Sequence, residues 1–94
     1  MRVKWTRAAS RDLNFVAEYI GGNNPGAAVD TVLKIIQQVG MLAAHPGIGR
    51  PGRLEDTREL AVTGLPYVVP YIDERDTVTV LRVLPGAMKW PERF

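Results

Sequence analysis

Arginine side chains provide the most distinctive chemistry in this sequence. Nine of its twelve cationic residues are arginine, and a guanidinium binds phosphate or carboxylate groups as a fork that stays charged. Seven of the cations fall in the second half of the chain, and five of them are candidates for binding: Arg50, Arg53, Arg58, Arg82 and Lys89. Their concentration indicates an anionic partner. Because Glu55, Asp56 and Glu59 lie among them, an ordinary solvated surface is the alternative.

Arg82 interrupts an apolar, β-branched run, VTVLRVL, which predicts a strand from Thr77 to Leu84. A guanidinium in the middle of a strand needs a carboxylate partner or the open face of a sheet. Three roles therefore stay open for it: a cross-strand pair with Glu59 or Asp73, plain exposure, or ligand binding.

Two further groups of residues could bind a target. Arg50 and Arg53 lie in the Gly/Pro-rich segment HPGIGRPGR, which predicts a loop that presents guanidinium and N–H groups to an anion. Trp90 follows Lys89 in the tail PGAMKWPERF, and it either docks in the core or stacks on a base. A solvated connector is the alternative for the loop.

The cysteine, histidine and serine side chains that other kinds of catalytic or metal site require are absent or isolated in this sequence. The chain has no cysteine and only one histidine, His45, so thiolate chemistry is excluded and a histidine-based metal site is not expected. The single serine, Ser10, has no triad context. We expect no cofactor and no metal. The inventory favours a binding protein, or an RNA-cleaving site that works through arginines and the substrate's 2′-hydroxyl.

The elements that must position these residues can be predicted from periodicity. Arg2 to Trp5 alternates as a strand; a helix follows from the cap Thr6 to Gly21, and a second one runs from the Asn24-Pro25 start to about Ala44. Three more strands are predicted: Arg58 to Val62, Tyr67 to Ile72 and Thr77 to Leu84, the last two joined by a four-residue turn, Asp73 to Asp76.

The order β-α-α-β-β-β predicts an α+β domain spanning residues 1–94, with a helical hairpin packed on one face of a small antiparallel sheet and the other face open. Pro70 conflicts with a central strand, so we expect an edge or a bulge there. No apolar run is long enough for a transmembrane helix, and no signal peptide is evident. We therefore expect a cytoplasmic protein with no membrane partner.

The sequence resembles the RelE/ParE superfamily, the toxins of bacterial type II toxin–antitoxin (plasmid stabilisation) modules. The segments that carry the resemblance span almost the whole chain: WTRAASRDLNFVAEYI, NPGAA, HPGIGRPGR, REL, GLPYVVPY and VTVLRVLPGAMKWP. Their order and spacing together are specific to the superfamily. The resemblance implies a growth-arresting protein that a cognate antitoxin neutralises in a hetero-oligomer.

Two mechanisms are compatible with the resemblance. RelE-like members cut mRNA on the ribosome, and ParE-like members are not enzymes and inhibit DNA gyrase. If this chain is RelE-like, the resemblance implies catalytic roles for Arg58, Arg82 and Lys89; if it is ParE-like, the same face and the tail would contact gyrase, with Trp90 as an anchor. Pro85 stands where relatives often have histidine, which leaves a non-toxic, antitoxin-binding module as the alternative.

Overall fold

The computed structural model describes all residues, 1–94, as two helices packed against a mixed sheet. The helices are α1 (Arg7–Gly21) and α2 (Pro25–Gly40), and a single 3₁₀ turn, Met41–Ala43, extends α2. The strands are β1 (Arg2–Trp5), β2 (Arg50–Pro51), β3 (Arg58–Ala61), β4 (Tyr67–Glu74), β5 (Thr77–Val80) and β6 (Leu84–Pro85). The α+β class and the helical hairpin are as predicted.

Local side-chain chemistry sets the bounds of both helices. The Thr6 hydroxyl accepts a hydrogen bond from the Ala9 N–H, and the Asn24 side chain accepts one from the Ala27 N–H, each at 3.0 Å. These caps satisfy donors that the first turn leaves unpaired. Pro25 follows the second cap, where its missing N–H removes no helical bond. The two caps were predicted correctly.

The sheet order is β1-β5-β4-β3-β2, and β6 also pairs with β4. The neighbours β2–β3, β3–β4 and β4–β5 are antiparallel, whereas β1 runs parallel to β5. The sheet is therefore mixed rather than wholly antiparallel as expected. Two parallel strands cannot be joined by a tight turn. Here the two helices and the intervening strands connect β1 to β5.

The predicted strand from Thr77 to Leu84 is interrupted. β5 ends at Val80 and β6 begins at Leu84, and the two pair with different parts of β4. Arg82 lies in this break and not in the middle of a strand. The turn before β5 is also tighter than predicted, because only Arg75 and Asp76 separate the strands, both with positive φ (53° and 59°), as type I′ hairpin turns require.

Pro70 lies in a central strand, opposite the same break. Its carbonyl accepts a hydrogen bond from Leu81 N at 2.9 Å, but β5 pairs only from Tyr71 onward and β6 only with Tyr67 and Val68. The residue without an N–H thus stands where the neighbouring ladder is interrupted. Pro70 is not on an edge strand. Tyr71 pairs with Val80 but Val68 pairs with Leu84, so the neighbouring segment carries one extra residue here. The expected bulge is therefore present, but it lies opposite the proline and not in β4.

One cluster of buried apolar side chains joins the helices to the sheet. Its members are Ala9, Val16, Ile35, Val39, Leu42, Leu60, Val62, Val69, Tyr71, Val78, Val80 and Val83. The far face of the sheet is not fully open as expected, since Val68 and Pro70 are buried there. Gly86 lies against Val68, where a Cβ would come within 3.2 Å of Val68 Cγ2, so the tail covers this part of the far face.

Tyr71 fixes the predicted loop to the core. Its hydroxyl donates to the Pro46 carbonyl at 2.6 Å and accepts from the Gly49 N–H at 2.9 Å. A Cβ on Gly49 would come within 2.5 Å of this hydroxyl, so only glycine permits the close approach. No helix of the structure is both long and apolar enough to cross a membrane.

Replacing Tyr71 by phenylalanine should lower the free energy of unfolding by about 1–3 kcal/mol, because a buried N–H and carbonyl lose their partner. Urea denaturation followed by circular dichroism measures it. Tyr19→Phe is the matched control, since the Tyr19 side chain is 83% exposed. An equal effect of both substitutions would contradict the assigned role of the Tyr71 hydroxyl.

Alkaline pH should destabilise the fold through the same residue. Burial raises the pKa of Tyr71 above its ordinary value of 10.0, so the unfolded chain loses this proton first as pH rises. The stability that the neutral phenol contributes is complete below pH 10.0 and is lost as pH rises through the folded-state pKa. Unfolding measured between about pH 9 and pH 11 should therefore depend less on pH in Tyr71→Phe than in the wild type.

Candidate functional site

A carboxylate on α1 holds Arg82. Asp12 Oδ2 accepts from Arg82 Nε at 2.6 Å and Oδ1 accepts from a terminal guanidinium nitrogen at 3.0 Å, which makes the pair bidentate. Asp12 Oδ2 also accepts from the Val83 N–H at 3.0 Å. The hydrogen bond that Arg82 donates to Asp12 raises the pKa of Arg82 against the opposing effect of burial, so the guanidinium stays charged.

Of the roles left open for Arg82, the cross-strand pair with Glu59 or Asp73 is wrong, because its carboxylate lies on a helix. The partner is Asp12, a residue of α1 that the sequence analysis did not consider and that is only 9% exposed. Its position in the sequence carried a signal: Ala9, Asp12, Leu13 and Val16 share one side of α1 at helical spacing. A carboxylate within an apolar stripe requires a buried partner.

Arg58 occupies a different environment, on the face of the sheet that carries Tyr71. It pairs in register with Tyr71, its terminal nitrogen donates to the Gly49 carbonyl at 3.0 Å, and its Nε lies 3.7 Å from Asp73 Oδ1. The Arg58 guanidinium thus has partners of its own within the chain. Arg58 and Arg82 share no partner: Arg58 contacts Gly49 and Asp73, and Arg82 contacts Asp12.

Glu59 binds both arginines of the loop, on the face of the sheet opposite the helices. Its Oε1 accepts from Arg50 Nε and a terminal nitrogen at 3.3 and 3.2 Å, and its Oε2 accepts from the Arg53 N–H at 2.7 Å. The Arg53 Nε lies 3.8 Å from Oε2. The Glu59 side chain is 2% exposed, whereas those of Arg50 and Arg53 are 57% and 45% exposed. One buried carboxylate therefore positions two accessible guanidiniums.

Trp90 joins this group from the tail. The Arg53 guanidinium carbon lies 3.6 Å from the centroid of the Trp90 ring, a cation–π stack. The indole N–H donates to the Pro85 carbonyl at 3.0 Å. We refer to Arg50, Arg53, Glu59 and Trp90 as the Arg–Trp cluster. Trp90 is neither docked in the core nor free, because it covers the guanidinium of Arg53.

The structure thus brings together the residues expected to bind a target and separates those expected to cleave RNA. Arg50, Arg53 and Trp90 form one cluster, whereas Arg58 and Arg82 are each held by a different carboxylate. Lys89 is exposed in the tail and has no ion pair. Pro85 belongs to β6 and pairs with Tyr67.

Beside the Asp12–Arg82 pair lies a groove of about 530 Å³ that the sequence analysis missed. Its lining includes two exposed aromatic residues one helical turn apart on α1, Phe15 and Tyr19, which are 61% and 83% exposed. Tyr67 and Met88 complete its apolar lining from the sheet and the tail. Burial and the neighbouring Tyr19 raise the pKa of Tyr67, so this phenol is neutral at physiological pH.

No group of three histidine or carboxylate side chains is placed to hold a metal ion. Basic and apolar contacts therefore account for the binding chemistry of both surfaces. The Arg–Trp cluster offers cations and an aromatic ring on the far face of the sheet, and the groove offers apolar contacts with one charged pair at its base.

Comparison with known proteins agrees with this architecture. A family model described as "ParE toxin of type II toxin-antitoxin system, parDE" matches residues 3–90. Toxin Y4kP of Sinorhizobium fredii is 41% identical over 97% of this chain and 94% of its own length. Toxin RelE2 of Caulobacter vibrioides is 34% identical over 92% of this chain and 96% of its own.

A solved structure described as the chromosomal ParDE TA system from P. aeruginosa superposes with a TM-score of 0.81. It is 30% identical in sequence, and the match covers 88% of this chain and 92% of that one. The similarity therefore extends over both helices and the sheet.

Removing Arg82 should destabilise the protein more than removing any other paired arginine. Arg82→Ala leaves the nearly buried Asp12 without its counter-charge, and we expect a loss of about 3 kcal/mol in the free energy of unfolding. Arg58→Ala is the control, because that pair is longer and more exposed, and its loss should cost about 1 kcal/mol or less.

A double-mutant cycle with Asp12→Ala separates the pair from its surroundings. The coupling free energy between Asp12 and Arg82, obtained from urea denaturation of the four proteins, should be about 1.5–3 kcal/mol. Coupling near zero would show that the two side chains contribute to stability independently.

Proposed function

Because the chain belongs to the ParE toxin family of type II toxin–antitoxin systems, we propose that it arrests growth by binding DNA gyrase and not by cutting mRNA on the ribosome. One observation carries this proposal: the guanidiniums of Arg58 and Arg82 are already paired with Asp73 and Asp12. Two of the three basic residues that cleavage would need are thus occupied within the chain.

Cleavage of RNA needs cations that are directed at the scissile phosphate as charge develops there. Arg82 would have to leave a bidentate carboxylate at 2.6 and 3.0 Å, and the exposed Asp12 would then repel the phosphate. Arg58 would have to leave Asp73 and the Gly49 carbonyl. Lys89 is the one residue of the three whose charge is free, and a lone cation does not form a cleavage site.

The Arg–Trp cluster has the composition of a protein-binding surface. Tryptophan and arginine are enriched among the residues that contribute most to protein–protein affinity. Glu59 faces two guanidiniums, so the cluster presents more positive than negative charge. Its arginines are held by a buried carboxylate and an aromatic ring, which lowers the conformational entropy lost on binding. The cluster therefore suits an acidic surface of a protein target.

We infer that the cognate antitoxin covers the groove beside α1. The exposed side chains of Phe15, Tyr19 and Met88 line it, and apolar surface of this kind is the usual seat of an amphipathic partner segment. The bound antitoxin would form a hetero-oligomer with the toxin and would leave Arg82 paired with Asp12. The pairing of Pro85 with Tyr67 in β6 argues against reading this residue as a sign of a decayed, non-toxic module.

Two assays on the purified toxin test the target. We expect inhibition of DNA supercoiling by gyrase, and no new 5′ ends when mRNA is incubated with ribosomes and analysed by primer extension. Cuts in the mRNA with gyrase unaffected would overturn the proposal and make the protein a ribosome-dependent nuclease. Growth arrest on induced expression, reversed by co-expression of the antitoxin, is the control that the preparation is an active toxin.

Substitutions in the tail distinguish the two mechanisms further. Trp90→Ala should raise the concentration needed for half-inhibition of gyrase by about tenfold or more, as loss of a central anchor does. Lys89→Ala, its neighbour in the sequence, should have little effect on gyrase inhibition. Loss of function in Lys89→Ala together with normal function in Trp90→Ala would favour RNA cleavage instead.

A further inference from the structure

A row of exposed apolar side chains runs along α2, next to the residues of this helix that face the core. Gly26, Val29, Leu33, Ile36 and Gly40 follow one another at spacings of three and four residues, and we call this row the α2 seam. Val29, Leu33 and Ile36 are 58%, 58% and 44% exposed. A repeat of three and four, averaging 3.5 residues, is the spacing at which two helices pack along their length.

The α2 seam has no partner within the chain. The core-facing side of α2 is formed by other residues, Ala28, Ile35 and Val39, which are buried. The apolar surface of α2 is therefore wider than the part that the core covers, a pattern typical of helices with a further partner. A shallow apolar depression, lined among others by Ala17, Val29 and Leu33, continues the seam toward α1.

Gly40 gives the seam a feature that the single chain does not explain. Its φ of −58° and ψ of −28° are ordinary helical values, so no left-handed conformation calls for glycine. A Cβ at this position would meet nothing within 4 Å, although glycine is less favourable in a helix than alanine. A glycine with open space before it allows the backbone of another helix to come close.

The order of residues in the seam points to a second copy of the same chain as its partner. The seam reads glycine, β-branched, leucine, β-branched, glycine in either direction. An antiparallel pairing about a two-fold axis at Leu33 therefore places Val29 against Ile36 of the second copy, and Gly26 against Gly40. Such a surface is complementary to itself, as an interface with two-fold symmetry must be.

The charges beside the seam obey the same symmetry. Asp30 and Lys34 lie on one side of it and take part in no ion pair within the chain. The two-fold axis places this side of one α2 next to the same side of the other α2. Because the two helices run in opposite directions, Asp30 of one copy comes within reach of Lys34 of the second copy. Each interface thus gains two such pairs, and no like charges are directly opposed.

We propose that the α2 seam is the interface of a homodimer in which two copies pair antiparallel through α2. The inference goes beyond the proposed target and does not depend on it. The Arg–Trp cluster lies on the opposite face of the sheet, because Glu59 alternates with the core residue Leu60 along β3. The dimer therefore presents two target-binding clusters, one at each outer face.

The oligomeric state of the full-length chain, measured by analytical ultracentrifugation, tests the proposal. The mass should rise from 10.4 kDa toward twice that value between about 1 and 100 µM. Leu33→Glu should weaken dimerisation by about tenfold or more, because the charge would be buried among apolar side chains. Ile48→Glu is the control, at an apolar residue that is 50% exposed outside the seam.

A charge swap identifies the partner as a second copy. Asp30→Lys alone should weaken the dimer, and Asp30→Lys combined with Lys34→Asp should restore it, since both copies then carry the exchanged pair. Gly40→Ala should weaken dimerisation while raising the melting temperature of the dilute monomer. These variants are read by mass alone, so their outcome is independent of the gyrase assay.

Three results would overturn the proposal. The first is a wild-type chain that stays monomeric over the whole concentration range. The second is a dimer that Leu33→Glu leaves intact, which would place the interface elsewhere. The third is a monomeric wild type whose antitoxin binding is lost in Leu33→Glu, which would assign the seam to that partner.

Discussion

The carboxylate of Asp12 is the interaction on which the second half of the fold depends. It holds Arg82 through two hydrogen bonds and the Val83 N–H through a third, so α1 is fastened to the break between β5 and β6. The break directs the chain back to pair with the start of β4. In this position Pro85 accepts the indole N–H of Trp90, and the ring of Trp90 stacks on Arg53. A buried ion pair on one side of the sheet thus orients an exposed cluster on the other.

Local rules predicted most elements of this fold but not its interruptions. Thr6, Asn24 and Pro25 mark the helix starts by chemistry that acts over three or four residues. The alternation of apolar and polar residues changes phase after Val80, where Leu81 follows it directly, but the sequence analysis took the whole run as one strand. The two irregular features, Pro70 and Arg82, were each noticed as conflicts with a regular strand. Both features lie at the same position in the sheet. The segment that holds Arg82 breaks its pairing with β4 opposite Pro70, which has no backbone N–H to donate.

Ion pairing shows the same limit of local reasoning. Arg82 was expected to find a carboxylate within the sheet, and the partner came from a helix 70 residues earlier. Glu59 and Asp73, the carboxylates considered for it, serve Arg50, Arg53 and Arg58 instead. Composition indicates that charges must be paired, but only the packing of distant elements decides which ones. The residues Arg50, Arg53 and Trp90 of the Arg–Trp cluster were selected by type, while the groove beside α1 was missed because it is assembled from three separate segments.

The parallel pairing of β1 with β5 determines when the chain can fold during its synthesis. The first strand of the chain finds its neighbour only at Thr77 to Val80, and Asp12 finds its counter-charge still later. A nascent chain that has emerged only as far as β4 therefore has an incomplete sheet and an unpaired carboxylate among apolar residues. Folding must wait for nearly the whole sequence to leave the ribosome, since contacts so distant in sequence form slowly and late. Incomplete translation products should thus be inert, and a cell that makes this chain is exposed to its native form only once synthesis is finished.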